Sequence, residues 1–147
     1  LEATNSLNRF KILDYAQHIK ADSMLNTPTV FSIYAGLLNL KWLKSNTLEA
    51  VCAANAEKAS LLYKALDRYD WIQPFADTSS RSIMNITFTI DNSDHAELFD
   101  RYCNKYDIHG LKGHRLVGGY RASLYNALSV ESVKRLIDTF EEVNTHV

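Results

Sequence analysis

The residues of this chain best equipped for chemistry crowd into one stretch, Gly113-His114-Arg115-Leu116-Val117-Gly118-Gly119-Tyr120-Arg121-Ala122-Ser123-Leu124-Tyr125-Asn126-Ala127. Two arginines and a histidine fall within eight residues, around a Gly-Gly pair. A guanidinium presents a planar fork of donors that matches carboxylate or phosphate, and an imidazole adds another donor. Glycine lets backbone turn sharply or come close to a ligand. Three of the chain's five glycines lie within these seven residues, 113 to 119. An ordinary solvated turn could carry the same charges. The glycine density favours an anion-binding edge made by His114, Arg115 and Arg121.

A second candidate is Asn26-Thr27-Pro28, just ahead of a helical pattern. Thr27 is suited to capping and Pro28 to a first helical turn. A helix start also offers free N–H groups to a phosphate. The other reactive types give less. The five histidines, His18, His95, His109, His114 and His146, include no pair at zinc-helix spacing, and Cys52 and Cys103 stand apart, so no metal site is expected. Lys20 and Lys112 have nothing adjacent that would lower an amine pKa. No phosphate loop or nucleophile turn is present, and no residue reads as a catalytic nucleophile or base.

The elements that must position these groups follow from periodicity. Residues 1 to 27 show little pattern beyond Phe10, Ile12, Leu13 and Tyr15. From Pro28 to Leu43 the chain reads as a helix that is apolar nearly all round, which expects burial between layers or at an interface. A second helix is predicted from Leu48 to Tyr69, with Val51, Leu61, Leu62, Leu66 and Tyr69 inward. Arg81 to Ile90 alternates as a half-buried strand, with Met84, Ile86, Phe88 and Ile90 on one side. Asp94 and Glu97 resemble a capping box ahead of a helix bearing Leu98, Phe99, Tyr102 and Tyr106. Short strands are predicted at Ile108–Lys112 and Tyr120–Tyr125, flanking the glycine turn. Ser129 caps a last helix with Val133, Leu136, Ile137, Phe140 and Val143 inward. The fold class is α+β: a small antiparallel or mixed sheet covered on one face by helices.

The chain has 147 residues, 46% of them hydrophobic and 22% charged, with a formal net charge of −1. That composition fits a soluble globular protein of one domain and argues against nucleic-acid or membrane partners. Both cysteines fall in helical patterns and read as small buried hydrophobes, which fits a reducing cytoplasm. Leu1 to Asn8 is polar, unpatterned and unlike a signal peptide, so the chain reads as a piece of a longer polypeptide.

At the residues already quoted the chain resembles the phosphoserine aminotransferases, class-V enzymes of fold type I that use pyridoxal 5'-phosphate. The likeness runs from about Ile12 to the C-terminus. It includes Leu13-Asp14-Tyr15, Asn26-Thr27-Pro28, Ile33-Tyr34, Lys41-Trp42-Leu43, Arg81-Ser82 with Met84-Asn85, and above all Leu111 to Ala127. By that resemblance residues 1–27 are a connecting segment from a large domain and residues 28–147 the C-terminal small domain. The family exchanges amino groups between 3-phosphohydroxypyruvate with glutamate and O-phosphoserine with 2-oxoglutarate, in a ping-pong cycle on a homodimer. Position by position, Arg121 resembles the residue that holds the substrate α-carboxylate. His114 and Arg115 resemble the pair that reaches the substrate phosphate, and Asn26 and Thr27 those that contact the cofactor phosphate across the dimer. The family's Schiff-base lysine has no match here, so the resemblance implies a piece that neither holds the cofactor covalently nor transaminates alone. Two departures are Thr29, where the family has a second proline, and Asn46-Thr47, where it has Gly-Gly. A free-standing α+β module binding a metabolite is the alternative reading.

Overall fold

A computed structural model of the chain describes residues 10–146; the reading of Leu1–Asn8 falls outside the described residues. Two compact units are present, one ending at Ser45 and the other beginning at Asn46.

In the first unit a 3-10 turn at Lys11–Leu13 leads into helix α1 (Tyr15–Lys20), capped by the Asp14 carboxylate on the Ala16 N–H at 3.0 Å. Helix α2 covers Val30–Asn46. It begins two residues later than Pro28 suggests: the Val30 N–H donates to the Pro28 carbonyl, and the first helical bond runs from Ile33 N–H to the Thr29 carbonyl. Proline thus precedes the helix instead of sitting in its first turn. Most of the large apolar side chains of α2 are exposed, Phe31 most of all at 84%, while Leu43 is half-buried.

Near the start of the second unit stands Thr47, whose φ of 59° and ψ of 145° lie where glycine is at home and a β-branched residue is strained. This is where the resemblance led one to expect glycine. The Thr47 hydroxyl nevertheless caps helix α3 (Leu48–Leu66) by accepting from the Ala50 N–H at 3.3 Å. Strands β1 (Ile72–Pro74), β2 (Asn85–Ile90) and β3 (Tyr120–Ser123) form a wholly antiparallel sheet in the order β1-β2-β3. Helix α4 (Ser93–Lys105) lies between β2 and β3 in sequence, and α5 (Val130–Thr145) closes the unit.

Period-two alternation decides the two faces of the sheet. Ile72, Ile86, Phe88, Tyr120 and Ala122 are buried on the inner face, against helices α3, α4 and α5. Phe88, Phe99, Tyr120 and Phe140 pack there with ring centres 5.0 to 6.2 Å apart. The alternate residues Asn85, Thr87, Thr89, Arg121 and Ser123 are polar and point the other way. The expected α+β sheet with helices on one face is what forms.

Several local expectations change. Strand β1 was not foreseen: three residues ending in proline carry too little alternation to read. Ile108–Lys112 is not a strand; it contributes a single bridge, Lys112 to Tyr120. The α4 cap is Asn92, whose Oδ1 accepts from the Asp94 N–H at 2.8 Å, so Asp94 lies inside the first turn. Helix α3 ends at Leu66, three residues short of Tyr69. Cys103 is buried as expected, but Cys52 lies on the outward side of α3 and is exposed. Ser129 caps α5 as expected, accepting from the Ser132 N–H at 3.2 Å.

Candidate functional site

The glycine turn, residues 113 to 119, joins the Lys112 bridge to β3 and stands beside the polar face of the sheet. Its backbone closes on itself. The Gly113 N–H donates to the Gly119 carbonyl at 2.9 Å, and the Val117 and Gly118 N–H groups both reach the His114 carbonyl, at 2.9 and 2.8 Å. Two glycines are required by space. A Cβ on Gly113 would lie 2.1 Å from the Gly118 carbonyl oxygen, and one on Gly119 would lie 2.8 Å from that of Phe88. Gly119 also has a φ of 65°. The glycine density seen in the sequence thus marks backbone pressed on backbone.

This fold-back sets the charged side chains. The His114 Nδ1 accepts from the Leu116 N–H at 3.2 Å, which puts the ring proton of the neutral imidazole on Nε2. That nitrogen is left to donate outward. Arg121 lies on β3 directly opposite Thr87 of β2. His114 and Arg121 line one cavity of about 330 Å³, together with Phe75, Thr87 and Val117. Arg115 lines an adjoining cavity of about 400 Å³ with His114 and Gly119. Arg121 also borders a larger cavity of about 680 Å³ that runs toward the start of α5. All three side chains are exposed.

Charge pairing separates these arginines from Arg81 and Arg68, though Arg101 and Arg135 also lack a carboxylate partner among the described residues. Arg81 grips Asp67 with both Nη atoms at 2.6 Å and stacks 4.5 Å from the centre of the Tyr63 ring. Arg68 bonds Glu141 at 2.9 Å. Among the described residues no carboxylate pairs with Arg115 or Arg121. A guanidinium fork without an internal partner, beside a donor imidazole, is suited to a carboxylate or phosphate arriving from outside.

The second candidate lies in the other unit. Asn26 and Thr27 are exposed immediately before α2, and their side chains bond no neighbour among the described residues.

Sequence reasoning missed Lys58. It is 1% exposed on α3, and its ammonium donates to the carbonyls of Tyr125 at 2.8 Å and Leu128 at 3.0 Å, with Leu124 at a longer 3.5 Å. Burial pulls its pKa below the usual lysine value. Next to it, the buried Asn55 donates to Asn126 Oδ1 at 2.8 Å. Both hold down the segment that follows β3. A signal existed: Val51, Asn55, Lys58, Leu62 and Leu66 share one helical stripe, so a lysine stood among core positions. Also missed was Asp100 of α4, which bonds Lys112 and Tyr120 at the neck of the glycine turn.

Comparison with known proteins gives this geometry a setting. Residues 3–136 match the sequence profile described as Aminotransferase class-V. The chain belongs to the class-V aminotransferase family. Among curated members, the phosphoserine aminotransferase of Flavobacterium psychrophilum is 49% identical over 137 residues, which is 92% of this chain and 38% of that protein. The Bacillus subtilis phosphoserine aminotransferase is 44% identical, over 86% of this chain and 36% of its own length. Among solved structures, phosphoserine aminotransferase from Bacillus circulans subsp. alkalophilus has a TM-score of 0.83 at 38% identity, over 94% of this chain and 39% of the other. A pyridoxal-phosphate-bound phosphoserine aminotransferase from Trichomonas vaginalis has a TM-score of 0.79 at 32% identity, over 92% and 39%. The chain therefore spans under two-fifths of the length of these relatives. No helix among the described residues is long and apolar enough to cross a membrane.

Proposed function

We propose that this class-V aminotransferase chain is the substrate-anion portion of a phosphoserine aminotransferase, acting in the cytoplasm. In the whole enzyme, 3-phosphohydroxypyruvate and glutamate give O-phosphoserine and 2-oxoglutarate. One observation carries the reading: His114 and Arg121, neither with a carboxylate partner among the described residues, line the same cavity on the polar face of the sheet. The family match weighs against a free-standing metabolite module.

Roles divide by position. Arg121, fixed by the strand, takes the α-carboxylate that all substrates of the cycle share. His114 and Arg115, on the turn, take the phosphate that only the phosphorylated substrates carry. Residues 1–27 serve as the connection from a large domain and 28–147 as the small domain, with the second subunit of a homodimer as partner.

Pyridoxal phosphate, when bound, supplies the electron sink for amino-group exchange. The residues here fit only its margin. Among the described residues Lys58 is the single buried lysine, and its ammonium is turned onto backbone carbonyls and away from any cavity chemistry. The lysine that carries the cofactor belongs to the remainder of the enzyme. Asn26 and Thr27, exposed ahead of α2 and without a side-chain bond among the described residues, are the groups assigned to the cofactor's phosphate in the partner subunit.

The test is transamination by the whole enzyme with Arg121→Ala. Loss of a charged hydrogen-bonding partner costs about 1.5–3 kcal/mol, so kcat/KM falls about 10- to 150-fold for O-phosphoserine and glutamate alike. Unchanged kinetics would remove Arg121 from the site.

A further inference from the structure

The glycine turn leaves and rejoins the fold at Lys112 and Tyr120, which face each other in a single antiparallel bridge. One carboxylate from another element holds both. Asp100, on α4, accepts from the Lys112 ammonium through Oδ2 at 2.5 Å and from the Tyr120 hydroxyl through Oδ1 at 3.1 Å. The Lys112 Nζ also lies 4.7 Å from the centre of the Tyr120 ring. Three side chains thus close a ring across the neck of the turn.

The hydrogen bonds inside the turn fix its shape but not its angle to the sheet. That angle depends on the stems. One stem continues into β3. The other, Ile108 to Gly113, is not a strand; it is tied by the Lys112 bridge and by the Arg121 N–H donating to the Leu111 carbonyl at 2.6 Å. As a source of stability the Lys112–Asp100 pair counts for little, because the lysine side chain is 70% exposed and the aspartate 38%. Its position is what gives it consequence. A small rotation at the neck is magnified at His114 and Arg115, whereas Arg121 lies on β3 beyond the hinge.

We propose that Asp100 and Lys112 are positioning residues that set the angle of the glycine turn, and so the reach of His114 and Arg115 toward the substrate's phosphate. The proposal rests on the phosphate-binding role given to the turn above. It predicts a defect in one half of the cycle: phosphorylated substrates should suffer, and glutamate, held through its carboxylate on Arg121, should suffer far less.

The two half-reactions of the whole enzyme, followed separately by the cofactor's absorbance, test this. Asp100→Asn and Lys112→Met should each lower the ratio of kcat/KM for O-phosphoserine to that for glutamate by about tenfold, chiefly through KM, since ångström-scale misplacement of a binding group weighs heavily on rate. Lys112→Arg, which keeps charge and reach, should restore most of the ratio. Arg115→Ala serves as the reference. If it leaves the ratio unaltered, the turn does not bind phosphate, and both the functional reading and this proposal fall. If Arg115→Ala lowers the ratio but Asp100→Asn and Lys112→Met do not, or depress both half-reactions equally, the functional reading stands and the positioning role is overturned.

Discussion

Replacing Gly113 with alanine probes the backbone contact on which the turn is built. The added Cβ would sit 2.1 Å from the Gly118 carbonyl oxygen and 3.0 Å from both the Gly118 carbonyl carbon and the Gly119 carbonyl oxygen. All three are backbone atoms, so no side-chain rotation relieves the overlap. The turn must open by about an ångström at its neck, which breaks the 2.9 Å bond from the Gly113 N–H to the Gly119 carbonyl. That bond contributes about 1 kcal/mol net. Residual distortion of angles and dihedrals adds roughly 1–3 kcal/mol. The expected total is therefore about 2–4 kcal/mol. Gly118→Ala is the matched control in the same turn: its φ is 77° and no heavy atom lies within 4 Å of the new Cβ, so it costs only the left-handed backbone, about 1–2 kcal/mol. Urea unfolding of the two variants, compared at equal m-value, reads the difference. If Gly113→Ala proves no more destabilising than Gly118→Ala, the close approach of the two stems is not what fixes the turn.

Lys58→Met should cost about 2–4 kcal/mol, since it strands the carbonyls of Tyr125 and Leu128 without a donor; thermal unfolding within 1 °C of the parent would contradict this. The hydrogen bond from Arg81 holds the Asp67 carboxyl below the usual carboxylate range, and the Arg81 charge adds to that. A folded-state pKa below the unfolded one means the stabilisation is whole above the ordinary value and is lost, below about pH 4, as pH falls from there through the lowered folded-state value. With Asp67 half exposed the effect is about 1 kcal/mol, and Arg81→Ala should erase that part of the acid slope in pH-dependent denaturation. Thr47→Gly should stabilise by about 0.5–1 kcal/mol, because relief of a left-handed β-branched residue outweighs the lost cap; a lower melting temperature would show the cap to matter more.

What could be read from the sequence depended on how much pattern each element carries. Strand β2 alternates over six residues, so its inner pair Ile86 and Phe88 was legible, as was the stripe Val133, Leu136, Phe140 and Val143 on α5. Strand β1 has three residues and ends in proline, which is below the length at which alternation means anything. Ile108 to Lys112 has strand-like composition, yet Gly110 at a φ of 76° breaks the extended run and leaves one bridge. The α4 cap shifted because Asn92, Ser93 and Asp94 are all capable caps, and only the backbone at Asn92 is extended. In the candidate site, His114, Arg115 and Arg121 stood out because charge and glycine coincide in sequence. Lys58 and Asp100 did not, because their partners lie 67 and 20 residues away in the chain. Long-range polar contacts leave no local period.

The sheet explains where the candidate residues stand. A three-stranded antiparallel sheet with helices on one face must make its other face either polar or an interface. Here that face is Asn85, Thr87, Thr89, Arg121 and Ser123, with the Ser123 hydroxyl donating to Asn85 Oδ1 at 3.2 Å. Arg81 and Arg121 are the same residue type put to opposite use. Arg81 is spent on Asp67 and Tyr63, with its side chain 17% exposed, and locks the segment entering β2 to the end of α3. Arg121 faces a threonine across the strand pair and keeps its fork in water. Leaving it solvated costs the fold little, because no charge has been buried unpaired. The strength of an anion contact made there then depends on how much water is excluded around it, since the same pair is worth far more at low dielectric than in solvent. An open sheet face therefore supplies correct geometry at low affinity. Any partner surface that covered that face and excluded its water would convert geometry into binding energy.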